Sequence, residues 1–310
     1  MLDEVVKNVG KVLYGKDDVV RLAVACLVAG GHLLVEDLPG VGKTTLAKAL
    51  AKSLGLEFRR VQFTADLLPS DVTGAMLFDR DRSRPVFRPG PVFANVLLAD
   101  ELNRASPKAQ SALLEAMEEG QVSMDGESFP LPSPFMVIAT QNPFDAAGTY
   151  LLPHSQRDRF LLRVSIGYPQ RPEEDALLST GDLRAAVDML PAVTDARGLK
   201  HASRGADNLY VDPAVRGYVL DLVEASRTHP DLSIGASPRA ALAVMRAAAA
   251  FAVTEGRAYV TPADVQRVAD PVLSHRLVVD AGAALGGVDA RAVVDQIVRS
   301  VAVPVRPSMS

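Results

Sequence analysis

Lys43, Thr44 and Thr45 follow directly on Asp37-Leu38-Pro39-Gly40-Val41-Gly42, a spacing suited to gripping an anion. Backbone N–H groups at the positive end of a helix surround phosphate oxygens only where no side chain intrudes, and glycine meets that condition. In such a loop Pro39, Gly40, Val41, Gly42 and Thr45 form the cradle, Lys43 reaches the β and γ phosphates, and the Thr44 hydroxyl coordinates magnesium. A second chemically capable pair, Asp100-Glu101, closes the apolar run Val96-Leu97-Leu98-Ala99. Asp100 suits a magnesium carboxylate, and Glu101 suits a base or orienter for an attacking water. Adjacent acids are common at strand ends; the phosphate loop upstream gives this pair its meaning. Asn142 ends a third apolar run, where it either holds that water or senses the γ phosphate, or simply makes an Asn-Pro turn with Pro143.

For these residues to meet, each must stand at the carboxyl end of a buried parallel strand, where open α/β sheets place their ligands. His32-Leu33-Leu34-Val35 is the strand before the loop. The helix after it has Leu46, Ala47, Leu50, Ala51 and Leu54 on one face and Gly55 at its end. The usual loop pattern has a glycine where this chain has Asp37. Aspartate tolerates a left-handed backbone better than most residues, and Pro39-Gly40 makes the turn, so the assignment is kept. The connection Val12-Leu13-Tyr14-Gly15 reads equally as a wall of a base pocket or as a plain helix link.

Two turn-rich segments interrupt the core. Residues 72–92 carry Arg80, Arg82, Arg84 and Arg88 among prolines, and residues 120–135 contain Asp125-Gly126, a strong hairpin signal. Both read as inserted hairpins. Between them, Ser106-Pro107 starts a helix that Gly120 ends, with Glu115, Glu118 and Glu119 expected on its solvated face. Arg157 and Arg159, just before the strand at residues 160–164, are candidates for a charge that reaches across a subunit boundary.

Beyond residue 168 the pattern turns helical, with no further strand-like runs. A core over residues 1–168 and a helical domain over 169–310 follow. Caps precede helices at 212–227, 237–255 and 261–275. Arg239 falls in the first turn of one of them, an unfavourable place for a cation, which points to an anionic partner or a surface salt bridge.

Bulk composition narrows the class. A net charge of -4 counts against a dedicated nucleic-acid binder. The lone Cys26 excludes an intrachain disulfide and fits a reducing compartment; in its apolar run it reads as a buried structural thiol. The N-terminus shows no signal peptide, and the apolar stretch at 240–253 is broken by Arg246 and too short to span a bilayer. A cytoplasmic address without membrane insertion is expected.

These motifs, with Phe63-Thr64-Ala65-Asp66-Leu67-Leu68-Pro69-Ser70-Asp71-Val72-Thr73-Gly74 and Gly235-Ala236-Ser237-Pro238-Arg239-Ala240, resemble the MoxR family of AAA+ ATPases over residues 12–275. The resemblance implies an α/β fold, a parallel-sheet P-loop core with a C-terminal all-α lid. It implies Lys43 and Thr44 as Walker A, Asp100 and Glu101 as Walker B, Asn142 as sensor 1 and Arg239 as sensor 2. Arg159 corresponds to the arginine finger, with Arg157 as its rival. The glutamate that relatives carry near His154-Ser155 is absent. The resemblance further implies ATP and Mg2+ as cofactors, a hexameric ring with ATP between subunits, and chaperone-like remodelling or cofactor insertion on a client. Such proteins often work with a partner bearing a von Willebrand A domain. An ATP-binding scaffold that hydrolyses slowly is the alternative; a DNA-directed motor fits the acidic balance poorly.

Overall fold

The computed structural model describes residues 1–79, 84–142, 150 and 152–304. Arg80, Arg82 and Pro143 lie outside the described residues.

The chain opens with helices α1 (Leu2–Gly10) and α2 (Asp17–Val28), then strand β1 (Leu33–Glu36), α3 (Lys43–Ser53), β2 (Phe58–Gln62) and the short α4 (Pro69–Thr73). A first hairpin, β3 (Gly74–Asp79) and β4 (Arg84–Pro89), precedes β5 (Val96–Asp100) and α5 (Pro107–Glu119). A second, β6 (Gln121–Met124) and β7 (Glu127–Pro130), precedes β8 (Met136–Gln141), α6 (His154–Arg157) and β9 (Leu162–Val164). There follow α7 (Arg171–Thr180), α8 (Leu183–Asp188), α9 (Ala196–Asp207), α10 (Pro213–Thr228), β10 (Leu232–Ile234), α11 (Pro238–Thr254), α12 (Pro262–Leu273), β11 (Val278–Val279), α13 (Ala281–Leu285) and α14 (Ala290–Ser300).

Five strands form the central sheet in the order β2-β5-β8-β1-β9, every neighbouring pair parallel. Alternation along the strands divides the core into two. Leu33, Val35, Val96, Leu98, Met136, Ile138, Leu162 and Val164 face one apolar cluster, while Leu34, Leu97, Ala99, Val137 and Ala139 face another. Helices α1, α2, α3 and the C-terminal helices cover the first face; α5 covers the second with Leu113, Leu114 and Met117. Because both faces are buried, the inner strands β5, β8 and β1 read as unbroken apolar runs rather than alternating ones. Each fully buried Leu or Val side chain contributes about 1.5–3 kcal/mol.

Both expected inserts are antiparallel hairpins. In the second, Asp125 and Gly126 have φ 51° and 83°, as a tight two-residue hairpin turn requires. The helical caps also follow expectation. Asp212 accepts from the Ala214 N–H, Ser237 from Ala240 and Thr261 from Asp264.

One expectation fails: the C-terminal region is not free of strands. β10 and β11 pair antiparallel, a ribbon of three and two residues, too short to leave a periodic signal. The C-terminal helices share the first cluster, which runs from Leu2 to Ile297 and joins α11 to α2. Cys26 is buried within it, and burial pushes its thiol up to about 12, as a structural cysteine requires. Among the described residues no helix is long and apolar enough to cross a membrane.

Candidate nucleotide-binding site

At the carboxyl end of β1 the chain turns through Gly40 and Gly42, with φ 84° and 102°, into α3, whose first residue is Lys43. No side chain caps that helix. Its orphan N–H groups are therefore available to an anion, and the positive φ values explain why glycine stands at both turns. Lys43 Nζ donates to the Asp37 carbonyl at 2.6 Å. Burial holds its ammonium below the ordinary lysine range, against the pull of the Asp37, Asp100 and Glu101 carboxylates.

Asp37 corrects the sequence reading. It has no left-handed backbone: among the described residues only Glu101 and Asp125 combine a side chain with positive φ. Its use is the carboxylate. Oδ1 accepts from the Leu38 N–H at 2.8 Å, and Oδ2 accepts from Ser165 Oγ at 2.9 Å and from the N–H groups of Ile166 and Gly167 at 2.5 and 2.7 Å. The start of the phosphate loop is thus tied to the exit of β9. Burial raises the Asp37 carboxyl, but those donors outweigh it and leave it below its ordinary value.

Strand β5 lies between β2 and β8 and ends in Asp100, level with Gln62. Asp100 Oδ1 accepts from Thr140 Oγ1 at 2.6 Å, and Oδ2 accepts from Arg60 Nη2 at 2.6 Å. Glu101 takes φ 55° and ψ 48°, with its N–H on Thr140 Oγ1 at 2.9 Å. That left-handed backbone costs a non-glycine residue about 1–2 kcal/mol and turns its carboxylate away from the strand line. Glu101 Oε2 accepts from Gln62 Nε2 at 2.8 Å and Arg104 Nη1 at 3.0 Å. Asn142 follows β8 directly, and β8 separates β5 from β1, so it stands between the acids and the phosphate loop.

Sequence reasoning missed Arg60, Gln62 and Thr140. The signal was present in Arg59, Arg60 and Gln62, polar residues in a strand beside an apolar one, but their partners appear only once β2 is paired with β5. Asp100 and the Thr44 hydroxyl are oxygen donors suited to magnesium, which keeps several waters and takes the rest of its ligands from phosphates. Among the described residues no group of three or more His, Cys, Asp or Glu side chains is placed to hold a metal ion.

The connection after α1 lines a pocket. Val12, Leu13 and Tyr14 meet Gly40, Val41, Gly42 and Thr45 around a cavity of about 140 Å³, closed by Pro169, Leu177 and Leu183. Leu13 lies so close to Gly42 that a Cβ there would come within 2.8 Å of it. Apolar walls beside a phosphate cradle suit a flat base.

Arg159 and Arg239 stand elsewhere. Both line a cleft of about 430 Å³ with Gly31 and His32, which precede β1, and with Glu118 at the end of α5. This is the amino end of the sheet, whereas Lys43, Asp100 and Glu101 stand at its carboxyl end. The length of β1, about 13 Å at 3.3 Å per residue, separates them. Glu118, exposed as expected, also accepts from Arg159 at 2.5 Å and lies 3.4 Å from Arg239. Arg239 also lies 3.7 Å from Asp158. Its placement against the dipole of α11 is therefore balanced by two carboxylates. Arg157 lines neither cavity, and its buried Nε has no hydrogen-bond partner among the described residues.

Residues 32–162 match the model of the ATPase family associated with various cellular activities (AAA), and residues 224–297 match the AAA lid domain. The chain is 44% identical to the uncharacterized protein YeaC of Bacillus subtilis, over 99% of this chain and 96% of that one. It is 38% identical to chaperone MoxR1 of Mycobacterium tuberculosis, over 98% and 82%. It is 34% identical to protein MoxR of Paracoccus denitrificans, over 86% and 85%. A crystal structure of a candidate ATPase from Cytophaga hutchinsonii superposes with a TM-score of 0.89 at 34% identity, covering 97% of this chain and 94% of that one.

Proposed function

The chain belongs to the MoxR family of AAA+ ATPases, and on that premise we propose that it hydrolyses Mg-ATP to ADP and phosphate in a ring of copies, as a hexamer, driving chaperone-like remodelling or cofactor insertion on a client protein. A cytoplasmic setting and a partner with a von Willebrand A domain belong to the same reading. The observation that carries it is the separation of Lys43, Asp100 and Glu101 from Arg159 and Arg239 at opposite ends of one sheet. A single copy holds the triphosphate and the water-directing carboxylate, but its Arg159 and Arg239 stand at the other end of the sheet. A neighbour's arginines complete the pocket.

In this mechanism the amides of Gly40 to Thr44 and the Lys43 ammonium bind the phosphates, and Val12 to Tyr14 bound the base. The Thr44 hydroxyl and the Asp100 carboxylate would hold a magnesium ion, which would supply positive charge to the phosphates when bound. Glu101 orients the attacking water and accepts its proton, with Asn142 beside it at the tip of β8. Arg159 from the adjacent copy stabilises the charge spreading onto the γ-phosphoryl group, a contribution worth about 10³–10⁵ in rate. Arg239 from that copy approaches the same phosphate.

Phosphate release measured over rising protein concentration tests this. Specific activity should climb with assembly, Lys43→Ala should lose nucleotide binding, and Glu101→Gln should bind ATP without turning it over. Full activity at high dilution, or equal loss of binding in both variants, refutes the assignment. A second reading, an ATP-binding switch that scarcely hydrolyses, draws on the ion pairs of Asp100 with Arg60 and of Glu101 with Arg104. Near-zero specific activity at every concentration supports it.

A further inference from the structure

After the last turn of α12, Arg276 enters the body of the α/β core, and only 4% of its side chain is exposed. Its guanidinium is spent almost entirely on one short segment. Nε donates to Asp158 Oδ1 at 2.7 Å, Nη2 donates to the carbonyls of Phe160 and Asp158 at 2.7 and 3.2 Å, and Nη1 donates to the carbonyl of Leu161 at 3.1 Å. Nη1 also donates to the Val272 carbonyl in the last turn of α12. The neighbouring His275 is bonded through Nε2 to the same Phe160 carbonyl at 2.9 Å, and His154 Nε2 reaches the Arg276 carbonyl at 2.6 Å.

The residue enclosed by these anchors is Arg159. Its backbone is held on both sides, at 158 and at 160. Its guanidinium remains at the cleft on Glu118 and the Leu114 carbonyl. Asp158 extends the arrangement, for its second oxygen lies 3.7 Å from Arg239. Arg276, Asp158, Arg239, Glu118 and Arg159 therefore form one continuous line of charges. Burying a guanidinium in this way adds little net stability, because desolvation offsets much of the attraction. It does add geometry: a rigid planar fork with five N–H donors fixes several acceptors in set directions, whereas a lysine ammonium offers three rotatable ones.

We propose that Arg276 is a positioning residue for hydrolysis on the neighbouring copy: it sets the segment 158–161, and hence Arg159 and Arg239, in register with the neighbour's phosphates. The inference rests on the reading that Arg159 acts across the subunit boundary. It assigns the C-terminal helical region a part in turnover through its attachment to the arginine segment. A misplacement of 1 Å in a reacting group costs about 10²-fold.

The test uses Arg276→Lys in the full chain, beside Arg159→Ala. Arg276→Lys should lower kcat by about 10–100-fold. The nucleotide Kd of the dilute protein should stay within about twofold of wild type, and combination with Arg159→Ala should cost no more than Arg159→Ala alone. Mixing separates positioning from general damage. A Lys43→Ala copy binds no nucleotide yet carries an intact Arg159, so adding it to Arg276→Lys should restore turnover at the latter's own intact cradle. If Arg276→Lys does not fold, Asp158→Asn should give the same pattern with a smaller loss. Wild-type kcat in Arg276→Lys beside a crippled Arg159→Ala overturns this inference alone, as does a loss that lies in nucleotide Kd and that mixing fails to rescue. Full activity of Arg159→Ala overturns the underlying reading and this inference with it.

Discussion

Replacing Asp37 by glycine, the residue a typical phosphate loop has there, is expected to weaken the protein rather than improve it. The carboxylate is 7% exposed and accepts four hydrogen bonds, three of them from backbone N–H groups. Hydrogen bonds to a charged acceptor are worth about 1.5–3 kcal/mol each and are not additive within one group. The Ile166 donor is buried and would be left without an acceptor at a cost of about 1–3 kcal/mol. Glycine adds about 0.5–1 kcal/mol of lost backbone entropy. The expected loss is about 3 kcal/mol, read by urea denaturation at constant m-value. Asp37→Asn keeps the shape but turns an amide donor towards other donors, and should lose about 2 kcal/mol. Because the folded carboxyl lies below its ordinary value, its stabilisation is fully present above the unfolded pKa and is lost as pH falls through the folded one. The gap between wild type and Asp37→Gly should therefore be constant above about pH 5 and close below about pH 4. Affinity for a fluorescent ATP analogue should fall in parallel, since the loop loses its tie to β9. A glycine variant as stable as wild type, or one that binds nucleotide more tightly, refutes the reasoning.

Gly42→Ala should cost about 1–2 kcal/mol and roughly tenfold in nucleotide affinity, chiefly from the φ of 102°. Leu13 can swing away from the new Cβ, so Gly42→Ala with Leu13→Ala should recover only part of the loss, as calorimetry and binding titration will show. Stability should also fall between about pH 6.5 and pH 4, because burial lowers His32 to about 4 and His275 well below its ordinary value. The unfolded chain takes up these protons first, so the contribution is complete above the unfolded pKa and is lost as pH falls; His32 alone accounts for on the order of 3 kcal/mol. Denaturation at pH 7.5, 5.5 and 4.5 measures it, and a flat profile would show that these histidines are not buried neutral.

Legibility followed locality. The strand ends at Asp100 and Asn142, the helix after Lys43, both hairpins and the caps at Ser106, Ser237 and Thr261 were all readable, because each is set by neighbours a few residues away in the chain. What was not readable depends on pairing across the sheet or across the molecule. Asp37 was placed correctly but for the wrong reason, since its donors lie at Ser165 to Gly167. Glu118 is solvated as read, but its pairing was hidden because the arginines it meets come from residues 159 and 239. The ribbon of β10 and β11 escaped because two or three residues cannot display a period.

A parallel sheet has chemically different ends, and this chain uses both. Helix N-termini and glycine turns gather at one end and favour anions. At the other, Arg159 and Arg239 are balanced by Glu118 and Asp158, and the two carboxylates are not equivalent. Glu118 is 37% exposed, so its pairs with Arg159 and Arg239 fall in the class worth about 0–1 kcal/mol. On the proposed function, a neighbour's γ phosphate, with more charge and more acceptor oxygens, would displace it at small cost. Asp158 is held by Arg276 inside the fold, where losing one partner of a pair costs about 3–5 kcal/mol. Both carboxylates line the cleft, but only Glu118 is exchangeable; Asp158 is fixed from within by Arg276. When carboxyl end meets amino end on successive copies, the contact is head-to-tail, which forms a ring where the rotation between copies closes. On the proposed function, hydrolysis waits for that closure because the distance along β1 prevents any copy from serving its own phosphate.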